Sequence, residues 1–313
     1  MKIFVAGATG ALGRPLIKQL VERGREVTGM TRSESKQELL RELGARPVVA
    51  DALDPDSVAR AVAEAEPDVI VHQLTAIGEF NPRHMERDFA ATNRLRTEGT
   101  DHLLAAGRAV GVKRFVAQSF APWPYARTGG PVKSEDDPLD TTPPAQIRTT
   151  LEAIKHLEQA VTGAEWTEGI ALRYGGFYGP GTSISLPEGE QIEMVKKRKF
   201  PIAGKGTGVW SFIHIEDAAA ATVEAIEHGR RGIYNVVDDE PAPVYEWLPE
   251  LAKAIGAKPP RHVPLWLARL FGGDVAAIMM SELRGSSNTK AKRELGWQPR
   301  YASWREGFAR GLG

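Results

Sequence analysis

Gly7, Gly10 and Gly13 recur at every third position. They follow a short apolar run, Ile3, Phe4, Val5 and Ala6, and precede Leu16, Ile17, Leu20 and Val21 at helical spacing. Glycines so placed let a chain turn tightly and bring its backbone against a pyrophosphate, and the free N–H groups of a helix start favour negative charge. The turn is therefore a candidate dinucleotide site, with Thr9, Ala11 and Leu12 beside the glycines. A second charged element belongs to the same chemistry. Residues 26–30 form another short strand, and Arg32 stands at its tip, where no carboxylate is found. A carboxylate there would take the ribose hydroxyl of NAD, whereas an arginine accommodates the 2′-phosphate of NADP. NADP is the expected cofactor and NAD the less favoured one, although a solvated surface arginine would read the same way.

Other charged groups offer less. His214 and Asp217 have the spacing of a catalytic or metal pair, and Lys196, Lys197, Arg198 and Lys199 form a basic run that reads as a solvated helix end. The 40 basic and 40 acidic residues cancel, so no global field favours nucleic acid or an anionic membrane. No apolar run is long enough to span a bilayer, and no signal-peptide pattern precedes the first strand. With no cysteine, thiolate catalysis, disulfides and Cys-ligated metal are excluded. The expectation is a soluble, cytoplasmic protein that takes a small-molecule substrate, with neither nucleic acid, membrane nor metal as partner.

These groups need elements to hold them. Gly24 stops the first helix, and Ser35 with Glu38 reads as a capping box for a second, with Leu39, Leu40 and Leu43 inward and Gly44 as its stop. Strands are expected at 47–50 and 68–72, and one long helix over 89–110. Strands alternating with helices argue for a parallel, doubly wound α/β sheet with right-handed crossovers. Residues 121–144, rich in proline and glycine with Pro122 among them, read as a loop over the site.

Several stretches in the same order resemble the extended, epimerase-like branch of the short-chain dehydrogenases/reductases. They are the glycine turn, Gly99-Thr100, the run 111–116, the segment from Leu172 and Arg173 to Tyr178-Gly179-Pro180-Gly181, the segment 210–217, the run 232–237 and the stretch 291–299. The resemblance spans nearly the whole chain. It implies a Rossmann-like NAD(P)-binding domain over 1–170 and a smaller substrate lobe over 171–313, with some segments of the latter returning to the sheet. It places Asp51 and Ala52 beside the adenine, Asp54 at a helix cap, and Leu74 and Thr75 along the cofactor. It lines the nicotinamide with Tyr174, Gly175, Gly176 and Phe177, and makes the His214–Asp217 pair structural.

The family's reaction uses a Ser or Thr after the fifth strand and a Tyr with Lys spaced Y-x-x-x-K, where the lysine charge lowers a tyrosine pKa of roughly 10. Here Phe120 falls at the hydroxyl position with Ser119 just before it. Lys155 is the lysine, Leu151 stands four residues earlier, and no tyrosine in the chain precedes a lysine at that spacing. Arg96 replaces the usual asparagine three residues before Gly99, with Asn93 one turn earlier. Ser119, Lys155, Tyr125 and Tyr178 are the catalytic candidates, with Tyr174 or a water as other proton sources; Lys155 also suits the nicotinamide ribose. Trp210 and Ser211 stand where nucleotide-sugar members hold a phosphate with arginine. The function expected is an NADP-dependent oxidoreductase acting on a small, largely apolar carbonyl or alcohol. The alternatives are a nucleotide-sugar epimerase or dehydratase and a non-catalytic NADP sensor. A homodimer through the helices at 89–110 and 149–161 is expected.

Overall fold

Short apolar runs alternating with amphipathic helices build one parallel sheet. In the computed structural model, which describes residues 1–313 except 79, 80, 82 and 122, the strands are β1 (Lys2–Ala6), β2 (Glu26–Thr31), β3 (Arg46–Val49), β4 (Val69–His72), β5 (Arg114–Phe120), the two-residue β6 (Val132–Lys133), and β7 (Glu168–Tyr174). Pro122 thus lies outside the described residues. Strand Gly232–Val236 completes a seven-stranded sheet in the order Gly232–Val236, β7, β5, β4, β1, β2, β3, all parallel. The order reverses between β1 and β4, which opens a crevice at their C-terminal ends, where doubly wound folds take ligands.

Helices cover both faces: α1 (Gly13–Glu22) and helix Ile215–His228 on one, α3 (Pro55–Ala65), α5 (Thr100–Val110) and α6 (Ala145–Thr162) on the other. Between β2 and β3 lies the short α2 (Gln37–Glu42), and before α5 lies α4 (Met85–Arg94). A third apolar cluster, with Trp210, Phe212, Trp247 and Phe308, fills the C-terminal lobe. β7 runs across residue 170, and the sheet's last strand comes from the second half of the chain. Among the described residues no helix is long and apolar enough to cross a membrane.

Two local expectations are corrected. Ser35 caps nothing: its hydroxyl meets Ser33 Oγ at 2.7 Å, and α2 starts without a side-chain cap after a 3-10 turn. Of its leucines only Leu40 is buried, and Gly44, at φ 84°, ends it. The long helix at 89–110 is two helices, α4 and α5, joined by a π-turn at Leu95–Gly99. There the buried His72 ring at the end of β4 lies 3.2 Å from the Leu95 carbonyl and 3.1 Å from Thr100 Oγ1. Such single-turn π segments mark places where the regular ladder gives way to a local demand.

Candidate functional site

The glycine turn is shaped by backbone against backbone. Gly7 leaves β1 at φ 89°, and a Cβ there would lie 2.5 Å from the Gln73 carbonyl oxygen. A Cβ on Gly13 would overlap the Gly7 carbonyl and come within 2.6 Å of Ala8 O. Helix α1 follows Leu12 as its N-cap position, with no side-chain cap and no acidic residue in its first turn. Its leading N–H groups and its dipole are left for an anion. Thr9, Gly10 and Ala11 are accessible above the turn, while Leu12 is buried beneath it. These features fit a dinucleotide diphosphate. Arg14 was missed from sequence: it is exposed, and its guanidinium lies against Gly181, whose added Cβ would be 2.7 Å from Nη2. An arginine next to the last glycine of the turn was the available signal.

Along the sheet, Arg32 stands exposed one residue beyond β2. Asp51 is exposed and accepts from the Leu53 N–H at 3.0 Å; Ala52 is buried, with its carbonyl 2.9 Å from His102 Nδ1. Asp54 caps α3 by accepting from the N–H groups of Asp56 and Ser57. At the end of β4, the Leu74 N–H donates to His72 Nδ1 at 3.2 Å, so the proton sits on Nε2, facing Leu95 O and Thr100 Oγ1. Burial pushes this imidazole down to about 4, so it is neutral at pH 7. Its three hydrogen-bond contacts fix the backbone that leads to half-buried Leu74 and exposed Thr75.

On the far side, Tyr174 is buried. Its hydroxyl donates to Thr222 Oγ1 at 2.7 Å and lies 3.4 Å from Gln73 Nε2, and burial raises its pKa. Gly175 has no room for a side chain, because a Cβ would lie 2.8 Å from Ser211 O. Gly176 and Phe177 are half-buried at the start of β8 (Gly176–Tyr178).

The structure disperses the catalytic candidates. Ser119 faces the helix layer beneath the sheet, and its hydroxyl donates to Glu158 Oε1 at 2.6 Å. Glu158, buried on α6, also receives Arg173 Nε and Nη2, each at 2.6 Å. Arg173 Nη1 in turn donates to the Tyr125 hydroxyl at 2.9 Å, and that hydroxyl donates to Asn235 Oδ1 at 2.8 Å. Ser119 and Tyr125 thus belong to one buried network tying β5, α6, β7, the last strand and the loop together; burial raises the tyrosine pKa. Tyr178 is buried between His214 and Phe308, its hydroxyl without a hydrogen bond among the described residues and its pKa raised by burial. Lys155 is half-buried and makes no hydrogen bond or ion pair among the described residues. Leu151, one turn earlier, is buried and apolar, and Phe120 packs edge-on against Trp123 at 4.8 Å. Two buried charged side chains were not read from sequence as part of the site: Glu158, which anchors the network, and Arg96, which is 3% exposed with Nη1 lacking an acceptor among the described residues.

The lobe shows how the phosphate position changed. Trp210 donates through Nε1 to Met279 O at 2.8 Å and packs against Trp247, Phe212 and Phe200. Ser211 Oγ accepts from the Ser286 N–H at 2.8 Å. His214 and Asp217 are structural: Nδ1 of His214 accepts from the Glu216 N–H, and the Asp217 carboxylate accepts from the N–H groups of Arg300 and Tyr301. Lys196 and Lys197 pair with Glu193. A cavity of about 20 Å³, room for a single water, lies between the loop and helix Leu265–Ser281, lined by Trp123, Ile147 and Met279 among others. Glu224, Glu227 and His228 lie within reach of one ion, but the carboxylates are occupied by Arg23 and Arg25.

Against known proteins, the model of the NAD dependent epimerase/dehydratase family matches residues 3–237. The chain is 42% identical over 311 residues to 3-diazoavenalumate denitrifying reductase of a Streptomyces species, covering 99% of this chain and all of the relative. It is 28% identical to 2-alkyl-3-oxoalkanoate reductase of Stenotrophomonas maltophilia, covering 82% of this chain and 76% of the relative. Among solved structures, UDP-glucose 4-epimerase of Thermus thermophilus in complex with NAD superposes with a TM-score of 0.73 at 23% identity, over 100% of this chain and 98% of that one.

Proposed function

The chain belongs to the NAD-dependent epimerase/dehydratase family and is an oxidoreductase of its extended short-chain dehydrogenase/reductase type, and we propose that it is an NADP-dependent reductase whose chemistry dispenses with the family's acid tyrosine. The carrying observation is Leu151, buried and apolar at that tyrosine's position, while Lys155 is retained one turn later. The family is NAD(P)-dependent; NADP is our reading, supported by Arg32 at the tip of β2 and by the missing carboxylate there. In this reading the backbone of residues 7–13 holds the diphosphate with Arg14 beside it, Asp51 and Ala52 meet the adenine, and Leu74, Thr75 and residues 174–177 flank the nicotinamide. Lys155 binds the nicotinamide ribose. Bound NADPH would supply a hydride.

What the acceptor is decides whether an acid is needed. A carbonyl that gains a hydride must also gain a proton on oxygen, and none of Ser119, Tyr125 and Tyr178 has a hydroxyl free to give one without breaking into the buried core. A carbon bearing a diazonium group needs no proton: the C–H bond forms as the C–N electron pair departs with N2. The relative named as a diazo-acid denitrifying reductase supports that substrate class here. A small apolar carbonyl, protonated by water, is the second reading, supported by the oxoalkanoate reductase. A nucleotide-sugar substrate is disfavoured by Trp210, whose indole is locked into an aromatic cluster where a phosphate grip would stand. A cytoplasmic homodimer through the helices over 89–110, which are α4 and α5, and over 149–161, within α6, belongs to the same proposal.

The test is NADPH oxidation with diazotised 3-aminocinnamate, corrected for the reaction without protein. Equal amounts of NADPH lost, N2 released and cinnamate formed are expected, with turnover lost in Lys155→Ala. Reduction of a ketone such as acetophenone, without any diazo turnover, would establish the second reading.

A further inference from the structure

Between the π-turn and α6 the protein buries a cation that forms no ion pair among the described residues. Arg96 is the second residue of the π-turn Leu95–Gly99, which packs against α6. It is 3% exposed, its Nη1 is enclosed without an acceptor, and its guanidinium makes no hydrogen bond among the described residues. The carboxylate whose field reaches it, Glu158, is fully engaged by Ser119 and by two nitrogens of Arg173. Lys155, on the facing helix, has no ion pair either. Two cations therefore sit on contacting elements, and neither forms an ion pair among the described residues. Burial draws the Arg96 pKa down to about 10, which leaves it charged at neutral pH. A buried charge without a partner is costly, so an acceptor has to come from elsewhere.

We propose that Arg96 is the anion anchor of the substrate site, receiving the carboxylate of a planar, apolar acid. The planar fork of a guanidinium matches a carboxylate in two parallel hydrogen bonds. The remainder of such an acid would meet the aromatic side chains around Phe89, on the helix that leads into the π-turn. Phe89 and Asn93 lie one turn apart on α4, and Arg96 follows in the π-turn that succeeds it. Phe89 meets Trp123 edge-on at 5.5 Å, and Trp123 meets Phe120 at 4.8 Å. Asn93, between the aromatic wall and the arginine, donates to Thr150 Oγ1 at 3.1 Å and keeps a buried Oδ1 unpartnered. An aryl or alkenyl ring against the aromatic wall would place a carboxylate towards the guanidinium. The inference rests on the reading of this cleft as the reductase's substrate site and names the acid group it selects.

The experiment measures binding, independently of turnover. Cinnamate and cinnamamide are titrated by calorimetry into the protein with and without NADPH, using wild type, Arg96→Gln and Arg96→Lys. Wild type should bind the acid at least about tenfold more tightly than the amide. Arg96→Gln should lose about ten- to a hundredfold on the acid alone, the range for a charge-assisted hydrogen-bond pair, with the amide unchanged. Arg96→Lys should retain part of the preference, and NADPH affinity should be unaltered throughout. Equal wild-type affinity for acid and amide, or no binding of either, would overturn the proposal and leave water as the partner of Arg96. So would an Arg96→Gln protein that binds cinnamate like wild type, or one that loses NADPH affinity instead, since the guanidinium would then serve the cofactor. If Arg96→Gln does not fold, the wild-type acid-to-amide ratio and Arg96→Lys decide the matter. Failure of NADPH oxidation in the turnover assay counts against the proposed reaction and leaves this ratio interpretable.

Discussion

The glycine turn, at the C-terminal ends of β1 and β4, and the buried floor around Glu158, at those of β5 and β7, are made of different material. The turn is backbone pressed on backbone: Gly7 against Gln73, Gly13 against Gly7 and Ala8. Its chemistry, a row of N–H groups at the start of α1, needs no particular side chain, only the absence of several. The floor is side chains around a single carboxylate, with Glu158 receiving Ser119 and Arg173, Arg173 reaching Tyr125, and Arg96 left over. A steric cradle therefore fails when an atom is added. A buried charge network fails when one is removed.

The largest effect that separates them should come from Gly13→Ala. A single methyl there overlaps the Gly7 carbonyl and cannot be relieved by a rotamer change, since the atoms it meets are main chain. Overpacking of this kind costs about 1–3 kcal/mol or more, and the turn must open to accommodate it. NADPH binding, followed by calorimetry, should fall at least about a hundredfold, because the N–H groups lose their common aim. If Gly13→Ala binds NADPH like wild type, the cofactor is held elsewhere and the contrast collapses.

On the floor, Glu158→Gln should lower stability by about 3–5 kcal/mol, since it strands the Arg173 charge in the core. Ser119→Ala removes one donor from a carboxylate that keeps two others, and should cost only about 1–3 kcal/mol. Denaturant midpoints at fixed m-value measure both. The comparison sharpens in the activity assay, where Ser119→Ala should keep turnover within a few-fold of wild type. A thousandfold loss with intact folding would return Ser119 to catalysis and show that the buried network opens during the reaction.

The two regions also differed in how much of them could be read from the chain. The turn is local: strand, three glycines and helix lie within a short stretch, so its elements and its site are both visible in sequence. Arg173 was half-legible, because an arginine between Leu172 and Tyr174 in an otherwise apolar strand requires an acid somewhere. Nothing local says that the acid is Glu158, which reads as one more polar position on an amphipathic helix. The π-turn was invisible for a related reason. Residues 89–110 keep a helical apolar period, and the break arises where a distant histidine meets Leu95 and Thr100. Ser35 fell to the opposite error, since its capping pattern was present but a nearby serine competed for the hydroxyl. Arg96 was noticed in sequence only as a substitution for asparagine; its burial without an acceptor is a property of the packed molecule.

The smallest effect tests the edge of the cradle, where backbone gives way to side chain. Arg32 is exposed beyond β2, so any grip on a 2′-phosphate is screened by solvent and salt, unlike the contacts of the turn. Arg32→Ala should therefore weaken NADPH by only about tenfold, the scale of one charge-assisted contact, and leave NADH unchanged. Fluorescence titrations of both cofactors at low and high ionic strength give the answer in one series. The wild-type preference for NADPH should shrink as salt is added, and the variant should show little preference at any salt. If Arg32→Ala weakens NADH as much as NADPH, the arginine supports the fold of the 31–36 turn and does not read the phosphate. Cofactor choice would then rest with another exposed cation, such as Arg14 beside the glycine turn, which lies against Gly181.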